Sequence, residues 1–511
     1  MKRSVKLLLT IFSLLIFFVM LTALFILLER GLSINAIYWI LPIIYFIQIV
    51  LSFTIFFSKR RYEVKTAWLF MMNIPVIGIV SFLLMGLLPF EIKSINKMKK
   101  LKEVIHSKED YSFSNEYSKN NISDPMVSAL NISNSAIYKN NDLKFVSQKD
   151  LVEESVKLIR KAKETINIGF YILSDSIWLK VITNELVKKA KEGVVIKVMF
   201  DYIGSRNRYS NKFISTLKKN NIEYAVFNST KLMKFVSNTN FRNHRKGIIV
   251  DNKYCLTGGS NIGDEYINLR KGYFYWSDIN FIIEGESVHS LSLQFYYDWH
   301  KETNKRKTSN SNLIEEINKL KKYEKKNSNE IIQILQSEPY SEFKIFKNVI
   351  TKYNLIAKKR IWIYTPYFAS NPEYIESLIL ASMSGVDVKI ILPGRPDKNK
   401  IILSINRFLY EKLLDANIEI YEYNGFIHSK AIIIDDDVTI LGSNNLDMRS
   451  LFINFETAII VKSNNINSQI SNNFQLDISN SNFFSKEDLH EFYTTKEKFK
   501  RYFIDVFYGV L

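Results

Sequence analysis

One pattern occurs twice in this chain. His244, Lys246 and Asp251 stand at i, i+2 and i+7 around an apolar run, Gly-Ile-Ile-Val. His428, Lys430 and Asp435 repeat the spacing around Ala-Ile-Ile-Ile. Each copy continues into a glycine turn, Gly258-Gly259-Ser260-Asn261 and Gly442-Ser443-Asn444-Asn445, whose last Asn falls at i+17. The copies lie 184 residues apart. Solenoid repeats have periods of about 20–50 residues, so this period means a duplicated domain.

The flanking sequence repeats as well. Residues 152–162 read as an amphipathic helix, Ile166–Ile172 as a strand, Ile177–Lys191 as a helix stopped by Gly193, and Val194–Phe200 as a buried strand. The later copy reads Ile361–Tyr367 strand, Tyr374–Met383 helix, Gly385 stop and Val386–Leu392 strand. Helices alternating with strands predict an α/β fold, two tandem domains with a mixed or parallel sheet flanked by helices.

The spacing carries chemistry. Residues i and i+2 of a strand share a face, so each His projects with its Lys. Asn261 and Asn445, after their turns, can add amide donors beside them. Asp251 and Asp435 complete the catalytic motif with His and Lys, but they lie at an odd offset from each Lys, on the opposite face, which predicts a role more structural than chemical. Two His without an H-x-x-x-H or Cys/His cluster make a poor zinc site, and the neighbouring Lys would repel a cation. No metal and no cofactor is expected; the set suits a phosphate oxyanion. The chain has six His. His106 and His490 lie in polar, loop-like sequence and are expected in solvent, and His289 and His300 flank an apolar stretch. Only His244 and His428 belong to the repeated motif.

Ahead of the repeat the sequence is greasy. Residues 7–28, 31–58 and 66–90 carry no charge. The first run, 22 residues long, would span about 33 Å as a helix, enough to cross a bilayer and long for a signal peptide. Basic residues before the first run and after the second predict a hairpin with both ends cytoplasmic. The third run, broken by Pro75, Gly78 and Pro89, is expected to be re-entrant or interfacial, which keeps the later domains on the cytoplasmic side. The expected organisation is a membrane anchor over 1–100, a linker over 101–135, a first domain over 136–305, a linker over 306–330 and a second domain over 331–511. Residues 114–135 and 301–329 are polar and expected to be exposed, and the basic, aromatic segment 496–511 suits an interfacial or a packed terminal helix. The net charge of +18 fits an anionic partner. Cys255 is the sole cysteine, which excludes an internal disulfide framework and reads as a small buried filler.

The paired motif resembles that of the phospholipase D superfamily, and within it the bacterial cardiolipin synthases. The stretches that carry the likeness are NHRKGIIVDNKYCLTGGSNIGDEY, YTPYF, GFIHSKAIIIDDD and GSNNLDMRSLFINFE. The resemblance implies a multi-pass enzyme of the bacterial plasma membrane. It would transfer a phosphatidyl group between two phosphatidylglycerol molecules through a phosphohistidine. His244 is expected as nucleophile and His428 as acid and base, with Lys246, Lys430, Asn261 and Asn445 on the phosphate oxygens. Asp278 and Glu456 would orient the imidazoles. The expected partners are phosphatidylglycerol and anionic membrane lipids, not nucleic acid. A phospholipase D-type hydrolase or another phosphatidyltransferase is the nearest alternative, then a nuclease of the superfamily, then an inactive lipid-binding scaffold. The sequence departs from the family at Ser277, where Arg is common, at Ser370-Asn371, where Pro-Asp often follows, and at Asn444, where Ala is usual. Ser277 puts one basic contact in doubt.

Overall fold

The computed structural model describes residues 34–57, part of 65–82, and 101–494 apart from 230–240, 304–310, 324–327, 397–399 and several single positions. The apolar run 7–28 and the segment 496–511 lie outside the described residues. Two units are formed: Met1–Phe90 with Met233–Ser237 and Phe499–Leu511, and Glu91–Leu232 with Asn238–Lys498.

In the first unit the helix Ile34–Phe56 runs 23 residues without a charge. Ile44, Ile47, Leu51 and Ile55 recur at helical spacing and are buried against Trp68, Met72, Ile79 and Phe82. The Gln48 amide donates to the Met72 carbonyl. Ile43, Phe46, Ile49 and Phe53 on the remaining circumference are exposed. Among the described residues no helix is long and apolar enough to cross a membrane.

The second unit is built on one sheet. Its earlier part supplies β1 (Ile137–Val146), β2 (Thr165–Phe170), β3 (Val195–Asp201), β4 (Glu223–Phe227), β5 (Gly247–Val250), β6 (Tyr254–Gly258), β7 (Trp276–Ser277) and β8 (Asn280–Gly285). The later part supplies β9 (Glu330–Ser337), β10 (Arg360–Tyr364), β11 (Asp387–Pro393), β12 (Glu419–Tyr423), β13 (Phe426–Ile427), β14 (Ala431–Ile434), β15 (Val438–Gly442), β16 (Glu456–Lys462) and β17 (Ser481–Phe483). Fifteen strands form the order β17-β12-β11-β10-β14-β15-β16-β9-β1-β8-β6-β5-β2-β3-β4. Outward from the antiparallel β1–β9 pair, the two sides repeat one order, β8-β6-β5-β2-β3-β4 and β16-β15-β14-β10-β11-β12. The duplication in sequence is therefore a pseudo-two-fold in space. Within this fifteen-stranded sheet β2–β3–β4 and β10–β11–β12 are parallel and the other ladders antiparallel, a mixed sheet.

Local chemistry sets the elements. The helix Ile177–Lys191 starts on Ser176, whose hydroxyl accepts from the Leu179 N–H, and gives way to Gly193 at φ +88°. Both strands that were expected to reach Ile172 and Tyr367 stop earlier, at Phe170 and Tyr364. Beyond Phe170 the chain leaves the ladder, and the Ile172 N–H donates to Asn261 Oδ1.

Three expectations of exposure fail. Residues 114–135 fall largely within the helices Ser112–Asn120 and Pro125–Ser133, which bury Tyr117, Met126, Ala129 and Leu130. The stretch 301–329 holds the helix Ser311–Asn318, which buries Leu313 and Ile317. Their apolar residues are sparse among Asn, Ser and Lys, so composition hides a narrow buried stripe. His106 is largely buried, and burial, then Lys102, pushes its pKa down to about 4.

Candidate active site

The site is assembled by two backbone crossings. β5 and β14 begin just after Lys246 and Lys430, so each His-x-Lys segment precedes its ladder strand. On the way to β14, β13 pairs in parallel with β7 of the other half. The Phe426 N–H donates to the Tyr275 carbonyl at 2.9 Å and the His428 N–H to the Ser277 carbonyl at 2.7 Å. The other half repeats this. Asn243 bridges Phe455 in parallel, the Phe455 N–H donates to the Arg242 carbonyl at 2.9 Å, and the His244 N–H donates to the Phe455 carbonyl at 2.8 Å. In each crossing the residue after the accepting carbonyl stands beside the imidazole. Those residues are Asp278 and Glu456, so each carboxylate serves the histidine of the opposite half.

His244 Nδ1 lies 3.0 Å from Glu456 Oε2 and 3.1 Å from the Ser443 carbonyl. His428 Nδ1 lies 2.6 Å from Asp278 Oδ2. Acceptors at Nδ1 place the proton there and leave a lone pair on Nε2. The carboxylates are themselves held. Glu456 accepts from Ser443 Oγ at 2.5 Å, Ser450 Oγ at 2.9 Å and Asn454 Nδ2 at 3.1 Å. Asp278 accepts from Ser260 Oγ at 3.1 Å. Rings wall the imidazoles: Tyr171 stands 4.9 Å from His244, Tyr266 5.3 Å from His428, and Trp276 stacks on His428 at 5.5 Å.

Burial controls the charges. It lowers the His244 pKa against the pull of Glu456. Burial and then Lys430 push His428 down to about 3, outweighing Asp278. Burial pushes Lys246 down to about 7 and Lys430 down to about 8. It would raise Glu456, but His244, with Lys246 and Ser443, holds that carboxyl low. Lys246 feels Glu456, Lys430 and Asp278 together, so groups of both halves share one field. Lys430 Nζ lies 3.0 Å from His428 Nδ1.

Other motif residues stand elsewhere. Asp251 accepts from the N–H groups of Lys163, Glu164 and Thr165 at 2.8–2.9 Å, and Asp435 from those of Lys358, Lys359 and Arg360 at 2.7–3.2 Å. Both have left-handed backbone, φ +52° and +48°. They pin the start of β2 and of β10 at the strand ends away from the histidines, so neither motif aspartate stands with the His and Lys of its motif. Asp251→Ala is expected to cost roughly 2–4 kcal/mol from the lost charge-assisted bonds. Thermal unfolding checks this, with turnover at low temperature within about threefold of wild type.

Asn261 and Asn445 also have occupied amide nitrogens. Asn261 Nδ2 donates to the Tyr266 hydroxyl at 3.0 Å, and Asn445 Nδ2 to Asp447 at 3.2 Å. The family-divergent positions have local roles. Ser277 offers its carbonyl to the His428 N–H and to Ser429 Oγ, and Asn371 is the N-cap of the helix Pro372–Met383. Sequence reasoning missed Ser260 and Ser443, although both lie in the glycine turns it had singled out. It also missed the rings of Tyr171, Tyr266 and Trp276, for which spacing gives no signal.

The cardiolipin synthase phospholipase D-like domain model matches residues 155–299 and 355–478, more than half of the chain. The chain belongs to this family. The major cardiolipin synthase of Bacillus subtilis is 31% identical over 88% of this chain and 94% of its own. A cardiolipin synthase of Clostridium perfringens is 34% identical over 82% of this chain and 89% of its own. Among solved structures, the phosphatidylserine synthase of Haemophilus influenzae superposes with a TM-score of 0.58 at 17% identity, covering 76% of this chain and 99% of that one. That likeness supports the fold.

Proposed function

We propose that this family member is a phosphatidyltransferase that makes cardiolipin from two phosphatidylglycerol molecules and releases glycerol. The observation that carries the chemistry is the crossed pair of imidazoles, each with Nδ1 on a carboxylate of the other half and two lysines in the same field. His244 Nε2 attacks the phosphorus of one phosphatidylglycerol. The bond to the glycerol oxygen breaks, and that oxygen takes the Nε2 proton of His428, which enters the step as the imidazolium held by the anionic phosphodiester and leaves it neutral. A hydroxyl of the second phosphatidylglycerol then gives His428 its proton and attacks, and the phosphorus–nitrogen bond breaks. Lys246 and Lys430 stabilise charge on the non-bridging oxygens. His244 suits the nucleophile because two acceptors fix its ring. His428 suits proton transfer because Asp278, 2.6 Å from its Nδ1, steadies the imidazolium.

The test is product analysis with the purified full chain and phosphatidylglycerol. Cardiolipin and glycerol are expected in equal amounts. Phosphatidic acid and glycerol alone would instead identify a hydrolase.

A pH dependence follows from the lysines. Each works as an ammonium, and each loses its proton as pH rises through its lowered pKa, about 7 for Lys246 and about 8 for Lys430. kcat/KM, which reports the free enzyme, should fall across that window. Bound phosphodiester favours the ammonium, so the alkaline limb of kcat should lie at higher pH. A kcat/KM profile flat through that window would remove both lysines from the charged role.

The first 100 residues would hold the enzyme to a bacterial plasma membrane, with the catalytic halves, 136–305 and 331–511, on the cytoplasmic side. This rests on the uncharged runs 7–28 and 31–58 and on the basic residues around them.

A further inference from the structure

One stretch of surface leads toward His428. Asn268 has left-handed backbone, φ 57°, which Asn tolerates. Its side chain brackets Trp276: Oδ1 accepts from the Trp276 N–H at 2.8 Å and Nδ2 donates to the Trp276 carbonyl at 3.0 Å. The bracket closes this excursion of the chain at its base, so Leu269 and Tyr275 leave from neighbouring points. Leu269, Phe274 and Tyr275 are 54%, 50% and 58% exposed, an unusual concentration of bare apolar surface. The Arg395 guanidinium lies over the Phe274 ring at 5.1 Å. Arg270 and Arg208 stand 3.6 and 3.7 Å from Glu265, two guanidiniums on one carboxylate. Inward from this rim Trp276 is buried, 4.6 Å from Phe426, 5.1 Å from Tyr266 and stacked on His428. Aromatic surface thus continues from the exposed edge to the imidazole.

We propose that Leu269, Phe274 and Tyr275, with Arg270 and Arg395, form the edge on which the catalytic unit rests against an anionic phospholipid surface, next to the entry to His428. The inference rests on the phosphatidylglycerol reading above. Tyr and Phe suit the boundary between headgroups and acyl chains, where one end of the ring is wet and the body is not. Guanidiniums beside them match lipid phosphates, which they can bind in bidentate fashion. A partner protein would gain from the same apolar side chains, but the basic rim selects an anionic surface.

Cys255 is buried and is the sole cysteine, so Tyr275→Cys in the full chain can carry one environment-sensitive dye. With the protein reconstituted in phosphatidylglycerol-containing vesicles, its emission should shift to the blue and resist iodide. Quenching by spin-labelled lipid should place it about 5–10 Å below the surface. A dye that stays open to iodide overturns the proposal. Independently, Leu269→Ser/Phe274→Ser should raise the surface mole fraction of phosphatidylglycerol giving half-maximal rate in detergent micelles by about fivefold to tenfold. Turnover of short-chain phosphatidylglycerol dispersed as monomers should not change. Equal loss on both substrates, or loss on neither, also overturns the proposal. Wild type that makes no product from the monomeric lipid defeats the catalytic reading instead, while the dye still reports the surface.

Discussion

His244→Ala should abolish cardiolipin formation, with turnover falling by a factor of about 10³ or more, because it removes the attacking atom. His428→Ala should be as damaging with phosphatidylglycerol, where the glycerol alkoxide cannot leave without a proton. The two differ with a donor whose leaving group needs none, such as a nitrophenyl phosphodiester. His428→Ala should then release one equivalent of nitrophenol in a burst and stall as a phosphoenzyme, since the second step lacks its base. His244→Ala should give no burst. The label should be acid-labile, base-stable and confined to the peptide bearing His244. A burst from His244→Ala, with label on the His428 peptide, reverses the assignment without disturbing the site.

The second large effect concerns the crossed carboxylates. Glu456→Gln keeps shape but removes the charge that fixes the His244 tautomer and stabilises its ring as positive charge develops. A loss of about 10²–10⁴ in kcat is expected, the range for a misoriented or unsupported histidine. Asp278→Asn should lose as much with phosphatidylglycerol, through His428. The nitrophenyl donor separates them. Its burst should be slowed by Glu456→Gln, which acts on the nucleophile, and nearly preserved by Asp278→Asn, which acts on the acid. If each carboxylate served the histidine of its own half, the pattern would be exchanged. The distances, 3.0 Å from His244 to Glu456 and 2.6 Å from His428 to Asp278, commit to the crossed order.

Much of this was legible in the residues. The helix Ile177–Lys191 was found with its bounds, because a Gly stop is a local signal. The buried strand was expected at Val194–Phe200 and runs Val195–Asp201, because a β-branched run encodes its own burial. Less legible were 114–135 and 301–329, where a few apolar residues at helical spacing are diluted by Asn, Ser and Lys. The early ends of β2 and β10 were also hidden. A ladder stops where its neighbour turns away, and that is no property of the strand's own sequence.

By itself the sequence determined that two similar halves exist and singled out His244, Lys246, His428 and Lys430 as the repeated motif. It also set Asp251 and Asp435 on the face opposite their Lys, because pattern and parity are properties of one segment. Only the tertiary structure decided which carboxylate meets which histidine, that one sheet runs through both halves, and that burial lowers the pKa of both imidazoles and both ammonium groups. The physical reason is the range of the forces. Hydrogen-bond partners and desolvation depend on segments far apart in the chain, 212 residues for His244 and Glu456, and no local pattern records them.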